Sequence, residues 1–327
     1  MVLVGRTPLL LAFGEHPAEC GGVRYGADKK FFQSAVVPFL EEHVERRGGK
    51  AAIIFEFNVG FNLLGFDRDN PAHARAVQKM VAEHEMDMVG KVTPKLNGGM
   101  EIGPAAEWFD WGYLDKVIAI NAMKPNSVLS IVEPLGADTA WSMWDQETVM
   151  ATLRNADSFM EKVKIEKEII RYSARTCIGR SRRVADLAQR IRREDPAIAL
   201  IIPRGYAHSG MASFFSPADF DVTLLSHMRG ASRFSSDIII EAFAREVSDD
   251  EWTRHAALAL HFNAYCSANG ERFMNASKKN GSYDEDVLRL LSVEAKRYAL
   301  DLEGRGELYS DRNDSAAHKR RCADSSL

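Results

Sequence analysis

The sequence has few cysteines, no long apolar run and no excess of charge of one sign. The four cysteines are Cys20, Cys177, Cys266 and Cys322. They are far apart and form no Cys-x-x-Cys pair, which argues against a zinc finger and predicts reduced thiols in a reducing compartment. The N-terminal apolar stretch, residues 8–13, is too short to span a membrane and precedes no small-residue cleavage site. These absences predict a cytoplasmic protein.

The balance of charge excludes further classes of partner. With 42 Lys and Arg against 46 Asp and Glu, the net charge is −4, so no global field attracts nucleic acid or an anionic membrane. Residues 145–193 are rich in Lys and Arg, but acidic residues are interleaved among them, which is typical of a solvated helix face. We therefore expect a small-molecule or peptide substrate, no nucleic acid and no membrane. The oligomeric state cannot be read from the sequence.

Five short apolar runs alternate with helical patterns and predict an α/β fold. The runs are Leu9–Phe13, Ala51–Phe55, Val128–Val132, Ala197–Ile202 and Phe220–Leu225. Runs of this length without helical periodicity are typical of buried parallel strands. We predict a mostly parallel central sheet of about five strands with helices on both faces. The domain is expected to span residues 1–310 with a helical insertion at about 137–195, followed by a disordered tail at 311–327.

Polar residues follow these strands. The first strand is followed by Glu15 and His16, the second by Glu56, the third by Glu133, the fourth by Arg204, Gly205, Tyr206 and His208, and the fifth by His227. Open parallel sheets bind ligands at the carboxyl ends of their strands, so the sequence predicts a site at this edge. The loop after the first strand adds Arg24 and Tyr25 as candidate ligand contacts.

The Gly14-Glu15-His16 turn, the strand-end Glu56 and the Gly205-x-x-His208 turn resemble a superfamily. It joins the erythromycin esterases, the ChaN-type haem-binding lipoproteins and the TraB/Tiki metal-dependent proteases. The first motif departs from the family pattern, because His16 follows Glu15 directly where the family has an intervening residue. The resemblance covers about residues 8–230 and implies an ester or amide hydrolase, or, from the ChaN branch, a haem-binding protein.

The residues allow several chemistries without the resemblance. Glu15 or Glu56 could hold His16 or His208 as a proton acceptor for water, which predicts catalytic roles for these four. Glu15, Glu56 and His208 could instead bind a divalent metal that polarises a carbonyl group. Arg204 suits an anionic substrate or a developing oxyanion.

The remaining candidates are assigned to substrate binding. They are Tyr206, Arg24, Tyr25, Glu133 and His227. The leading hypothesis is a hydrolase that activates water with the Glu/His cluster, with or without a metal. The alternatives are a haem- or small-ligand-binding protein, a scaffold or biosynthetic partner that lost the chemistry, and strand-end residues that only cap the sheet.

Overall fold

The computed structural model describes residues 5–14, 18–20, 23–25, 29–56, 66–96, 112–142, 145, 149, 156–227, 233–279, 282–283 and 285–310. Its strands are β1 Thr7–Gly14, β2 Ala18–Cys20, β3 Val23–Tyr25, β4 Ala51–Phe55, β5 Val128–Val132, β6 Ala199–Gly205, β7 Phe220–Ser226, β8 Lys278–Lys279 and β9 Ser282–Tyr283. Its α-helices are α1 Lys29–Leu40, α2 Pro71–Leu96, α3 Leu114–Met123, α4 Phe159–Glu194, α5 Phe234–Ala244, α6 Asp249–Ser277 and α7 Glu285–Gly304. A π-helical segment, Glu41–Arg46, continues α1, and a 3-10 helix, Tyr206–Phe214, follows β6. The predicted tail, 311–327, lies outside the described residues.

The central sheet confirms the predicted α/β fold. It has five strands in the order β5-β4-β6-β1-β7, and every pairing is parallel. All five predicted apolar runs form its strands. β6 lies between β1 and β4, so a strand from late in the chain separates two strands that are early neighbours in sequence.

Residues alternate between the two faces of the sheet, and both faces are buried. One face packs Leu10, Ile53 and Ile201 into a core with α1, α2 and α3. The residues between them, such as Leu11, Ile54 and Ile202, point to the opposite face of the sheet. They are also fully buried, so that face is covered as well. A parallel sheet with two covered faces explains why the strands are continuous apolar runs.

Contacts divide the chain into two compact units. The first contains residues 1–16, 27–144 and 175–228 and includes the five-stranded sheet. The second contains residues 17–26, 145–174 and 229–327 and includes α5, α6, α7 and the hairpin of β2 and β3. Helix α4 runs from the second unit into the first. The single domain with an insertion at 137–195 stays a prediction. None of the helices among the described residues is long and apolar enough to cross a membrane.

Candidate functional site

Two carboxylates lie side by side where β4 and β5 end. Phe55 pairs with Val132 in the parallel register, so Glu56 and Glu133 are the next residues of neighbouring strands. Both side chains are buried, at 5 % and 0 % exposure. By the two-residue alternation of a strand, Glu56 belongs to the face that carries Ile54, opposite the α1–α3 core.

The end of β6 is joined to β4 through the side chain of Glu56. Pairing between β4 and β6 ends at Ile53 and Ile201, just before Pro203, which has no N–H to donate. The backbone N–H of Gly205 then donates to Oε2 of Glu56 at 2.9 Å. This bond replaces the interrupted strand pairing with a side-chain contact, and it fixes the direction of the Glu56 carboxylate.

The 3-10 helix after β6 positions His208 between Glu56 and α4. Nε2 of His208 lies 3.0 Å from Oε1 of Glu56, and Nδ1 lies 2.8 Å from Oγ of Ser181. The imidazole is 3 % exposed. Both ring nitrogens therefore have partners, which fixes the orientation of the ring.

Two guanidinium groups neutralise the carboxylates. Arg180, on α4, contacts Oε1 of Glu133 and lies 3.4 Å from Oε1 of Glu56. Arg204, on β6 and fully buried, lies 2.5 Å from Oε2 of Glu133 and 3.7 Å from Oε1 of Glu56. We call the five side chains of Glu56, Glu133, Arg180, Arg204 and His208 the charged cluster. Burial of so many charges is tolerated because each faces an opposite charge.

Electrostatics favour the charged forms of Glu133 and His208. Burial favours the neutral form of Glu133, but Arg180 and Arg204 outweigh it and hold the pKa of Glu133 below its usual value. For His208, burial also favours the neutral form, but the neighbouring Cys177 and Glu56 raise its pKa to about 9. His208 is therefore an imidazolium at neutral pH, with an N–H on each side of the ring.

The structure brings together four of the predicted site residues, namely Glu56, Glu133, Arg204 and His208. Tyr206, the first residue of the 3-10 helix, is half-buried beside them in sequence. His227 follows β7, where its ring stacks on Phe31 at 5.2 Å between ring centroids. Its backbone N–H donates to the carbonyl oxygen of Phe13.

The remaining predicted site residues are Glu15, His16, Arg24 and Tyr25. Glu15 and His16 lie outside the described residues, so their catalytic roles stay predictions. Arg24 and Tyr25 form part of β3, in the second unit, and their side chains lie outside the described part of the structure.

Sequence reasoning missed the contribution of α4. Arg180 was included in a basic set interpreted as a solvated helix face, but it is 9 % exposed. The spacing of small and apolar residues along α4 could have revealed that Arg180 is buried. Arg180 and Ser181 share a buried stripe with Val184 and Ala188, which follow at three- and four-residue intervals. An arginine inside such a stripe indicates a buried ion pair.

The contacts of the cluster do not fit a divalent metal held by Glu56 and His208. Oε1 of Glu56 already faces His208 and Arg180, and a cation there would meet two guanidinium groups and an imidazolium. No group of three or more His, Cys, Asp or Glu side chains among the described residues is arranged to hold a metal ion. His208 is also not a free haem ligand, because both of its ring nitrogens have partners.

Helix α4 also carries a cysteine near the cluster. Cys177 lies one helical turn before Ser181 on the same face of the helix. Cys177 is a free cysteine and is partly exposed, whereas the charged cluster is buried.

Comparisons with protein-family models, with curated proteins and with solved structures gave no significant match.

Proposed function

We propose that this chain is a hydrolase-like enzyme that cleaves an ester or amide at the carboxyl edge of its parallel sheet. The observation that carries the proposal is the contact of 3.0 Å between Nε2 of His208 and Oε1 of Glu56. A carboxylate that holds an imidazole stabilises the imidazolium and fixes which ring nitrogen handles protons. The position of the pair, where open α/β sheets bind ligands, supports the same assignment.

His208 is suited to move protons to and from the reacting groups. With a pKa of about 9, the imidazolium is populated at neutral pH and can protonate a leaving alkoxide or amine. The neutral ring, the minor form at that pKa, takes a proton from the water as it attacks the carbonyl carbon, and the imidazolium so formed then protonates the departing alkoxide or amine. Glu56 lies beside Arg180 and Arg204 and stabilises the imidazolium in each cycle.

The resemblance to the erythromycin esterase superfamily points to the same reaction class, since its Glu and Gly-x-x-His motifs are the residues that meet here. Arg204 lies beside the pair and is suited to an anionic substrate or a developing oxyanion. The metal-assisted form of the reaction draws no support from Glu56 and His208, whose oxygen and nitrogen atoms face Arg180, Arg204 and Ser181.

The test is a panel of chromogenic esters and anilides, assayed with the wild type and with His208→Gln. We expect hydrolysis by the wild type and a loss of about 10²- to 10⁴-fold in kcat in the variant, because proton transfer is removed. His43→Gln is the matched control. His43 is a half-buried histidine of the π-helical segment that packs against Phe39 with tilted rings and lies outside the cluster.

The outcomes are distinct. A His43→Gln variant that keeps wild-type turnover, with His208→Gln impaired, supports the proposal. If the wild type cleaves no member of the panel faster than His208→Gln does, the hydrolase assignment is overturned. Far-ultraviolet circular dichroism on both variants separates loss of chemistry from loss of the fold.

A further inference from the structure

Arg204 has hydrogen-bond donors that the charged cluster does not use. Its side chain is fully buried, and its Nη1 atom lies 2.5 Å from Oε2 of Glu133 and 3.7 Å from Oε1 of Glu56. Its Nε and Nη2 atoms have no hydrogen-bond partner in the part of the chain that the structure describes. Buried donors without acceptors are unfavourable and rare, so two of them on one side chain indicate that a ligand supplies the acceptors.

The two unpartnered atoms form one edge of the planar guanidinium group. The N–H bonds of Nε and Nη2 run parallel along that edge, in a fixed geometry that matches the two oxygens of a carboxylate. A developing oxyanion offers one oxygen and does not match both donors. The shape of this edge therefore favours a carboxylate.

Among the described residues, the neighbours of Arg204 leave this edge without an acceptor. On the β1 side, Phe13 is in register with Arg204, so its apolar ring belongs to the same face of the sheet. The carbonyl oxygen of Phe13 already accepts the N–H of His227. On the other side, the carboxylates of Glu56 and Glu133 face Nη1.

The charge of the cluster also favours an anion. Its three basic side chains, Arg180, Arg204 and His208, face the two carboxylates of Glu56 and Glu133. With His208 protonated, the cluster therefore has at least one positive charge more than its carboxylates can balance. A ligand with a single negative charge restores the balance in this buried environment.

The cluster lies close beneath the surface. Tyr206, Ala207 and Ser209 of the 3-10 helix are partly exposed, whereas His208 is buried among them. A ligand that enters beside this helix has a short path to the cluster.

We propose that Arg204 binds a carboxylate of the substrate through Nε and Nη2, so that the substrate is an ester or amide with a carboxylate near its scissile bond. This inference rests on the proposed function and names the substrate class of the same site. Nε2 of His208 and Nη1 of Arg204 lie 3.0 Å and 3.7 Å from the same oxygen, Oε1 of Glu56. The carboxylate and the scissile bond are therefore only a few bonds apart.

Binding is tested first on the full-length wild type, with ligands that a hydrolase cannot cleave. The probes are benzoylpropionate and its primary amide, which have a ketone in place of the scissile bond and differ only at the carboxylate. We expect the acid to bind at least about 10-fold more tightly than the amide, measured by calorimetry at matched ionic strength. Equal affinity for the two probes overturns the carboxylate site.

Arg204→Lys tests the bidentate contact. Lysine keeps a positive charge beside Glu133 but lacks the planar pair of donors, so we expect affinity for the acid to fall about 10-fold and affinity for the amide to stay. Arg192→Lys is the matched control, because Arg192 is also on α4, pairs with Asp219 and lies outside the cluster. An acid preference that Arg204→Lys retains in full overturns the assignment to Arg204. If Arg204→Lys does not fold, the two probes on the wild type still decide the carboxylate site.

Hydrolysis separates this inference from the proposed function. The substrates are the mono-p-nitroanilide of succinic acid and the same anilide with its carboxylate converted to a primary amide. We expect kcat/KM to be at least about 10-fold higher for the acid. Equal cleavage of both, with equal affinity for the two ketone probes, overturns the carboxylate site and leaves the hydrolase. Preferential binding of the acid without any hydrolysis supports the carboxylate site and overturns the hydrolase. A preference in binding without one in hydrolysis keeps the site and overturns the substrate class.

Discussion

Oε1 of Glu56 is shared by His208, at 3.0 Å from Nε2, and by Arg180, at 3.4 Å from Nη2. One oxygen thus connects the imidazole that follows β6 with a guanidinium from α4. Its partner oxygen, Oε2, accepts the Gly205 N–H. A change at Glu56 that keeps the second contact but removes the charge therefore tests the electrostatic role of the residue without breaking its backbone bond.

Glu56→Gln is expected to reduce turnover by about 10-fold to 100-fold, because the amide no longer stabilises the imidazolium of His208. The amide oxygen can still accept from Gly205, but the cluster loses a negative charge, so the free energy of unfolding should fall by about 3–5 kcal/mol. Steady-state kinetics and urea denaturation measure the two effects. Glu45→Gln is the control, since Glu45 pairs with Lys116 at the surface. A Glu56→Gln enzyme with wild-type turnover would show that Glu56 only caps its strand.

The sheet and the carboxylates were predictable, because both depend on local patterns. Continuous apolar runs identify buried parallel strands, and the carboxyl ends of such strands share one edge. Alternation also fixes the face. Glu56 and Arg204 each lie two residues after a buried isoleucine, Ile54 and Ile202, so both belong to the face opposite the α1–α3 core.

The partners on α4 were not predictable from these rules. Strand order is a property of the whole fold, and β6 lies between two strands that precede it in the chain. Arg180 and Ser181 reach the cluster because of how α4 packs on the sheet. The sequence shows the buried stripe of α4 that carries them, but it does not show which face of the central sheet this stripe covers. Predictions on Glu15 and His16 stay open for a different reason, since both lie outside the described residues.

Arg180 and Glu133 should be coupled in stability. Glu133→Gln takes the nearer of two carboxylates from the buried Arg180, and Arg180→Gln takes one of two guanidinium groups from the buried Glu133, so we expect each to lower the free energy of unfolding by about 3–5 kcal/mol. The double variant should lose less than the two losses added together, by about 1–3 kcal/mol, because neither charge is left behind. Urea denaturation of the four proteins gives the coupling energy. Additive losses would mean that the contact between these two side chains does not stabilise the fold.

Glu166, on α4, is expected to destabilise the fold above neutral pH. Burial raises its pKa to about 7, above its usual value of 4.5. A raised pKa means that the folded chain holds this proton more tightly, so stability falls as the pH rises between these two values. Glu166→Gln should therefore raise the free energy of unfolding by about 1–3 kcal/mol at pH 8 but not at pH 4.

The matched control for Glu166 is on the same helix. Glu168 pairs with Arg171 at 2.9 Å, so Glu168→Gln should give no stabilisation at pH 8. Thermal denaturation of both variants at the two pH values makes the comparison. Equal behaviour of the two variants would contradict a half-buried, destabilising carboxylate at Glu166.

His208 should make the fold less stable in alkaline solution. Its pKa is raised from 6.5 to about 9 in the folded chain, because Cys177 and Glu56 outweigh the opposing effect of burial. A raised pKa contributes stability that is complete below the unfolded value of 6.5 and is lost as the pH rises through 9. The wild type should therefore lose on the order of 1–3 kcal/mol more between pH 6 and pH 10 than His208→Gln does.

Comparing variants over the same pH interval cancels the titration of lysines and tyrosines, which both chains share. His43→Gln isolates the effect further. Burial and Arg47 lower the pKa of His43 below 6.5, so any stability linked to that residue changes on the acidic side of this interval. We expect His43→Gln to follow the wild-type curve from pH 6.5 to pH 10, measured by urea denaturation. A His208→Gln curve with the wild-type slope would mean that His208 is not protonated in the fold, and the proton-donor role assigned to it would then fail.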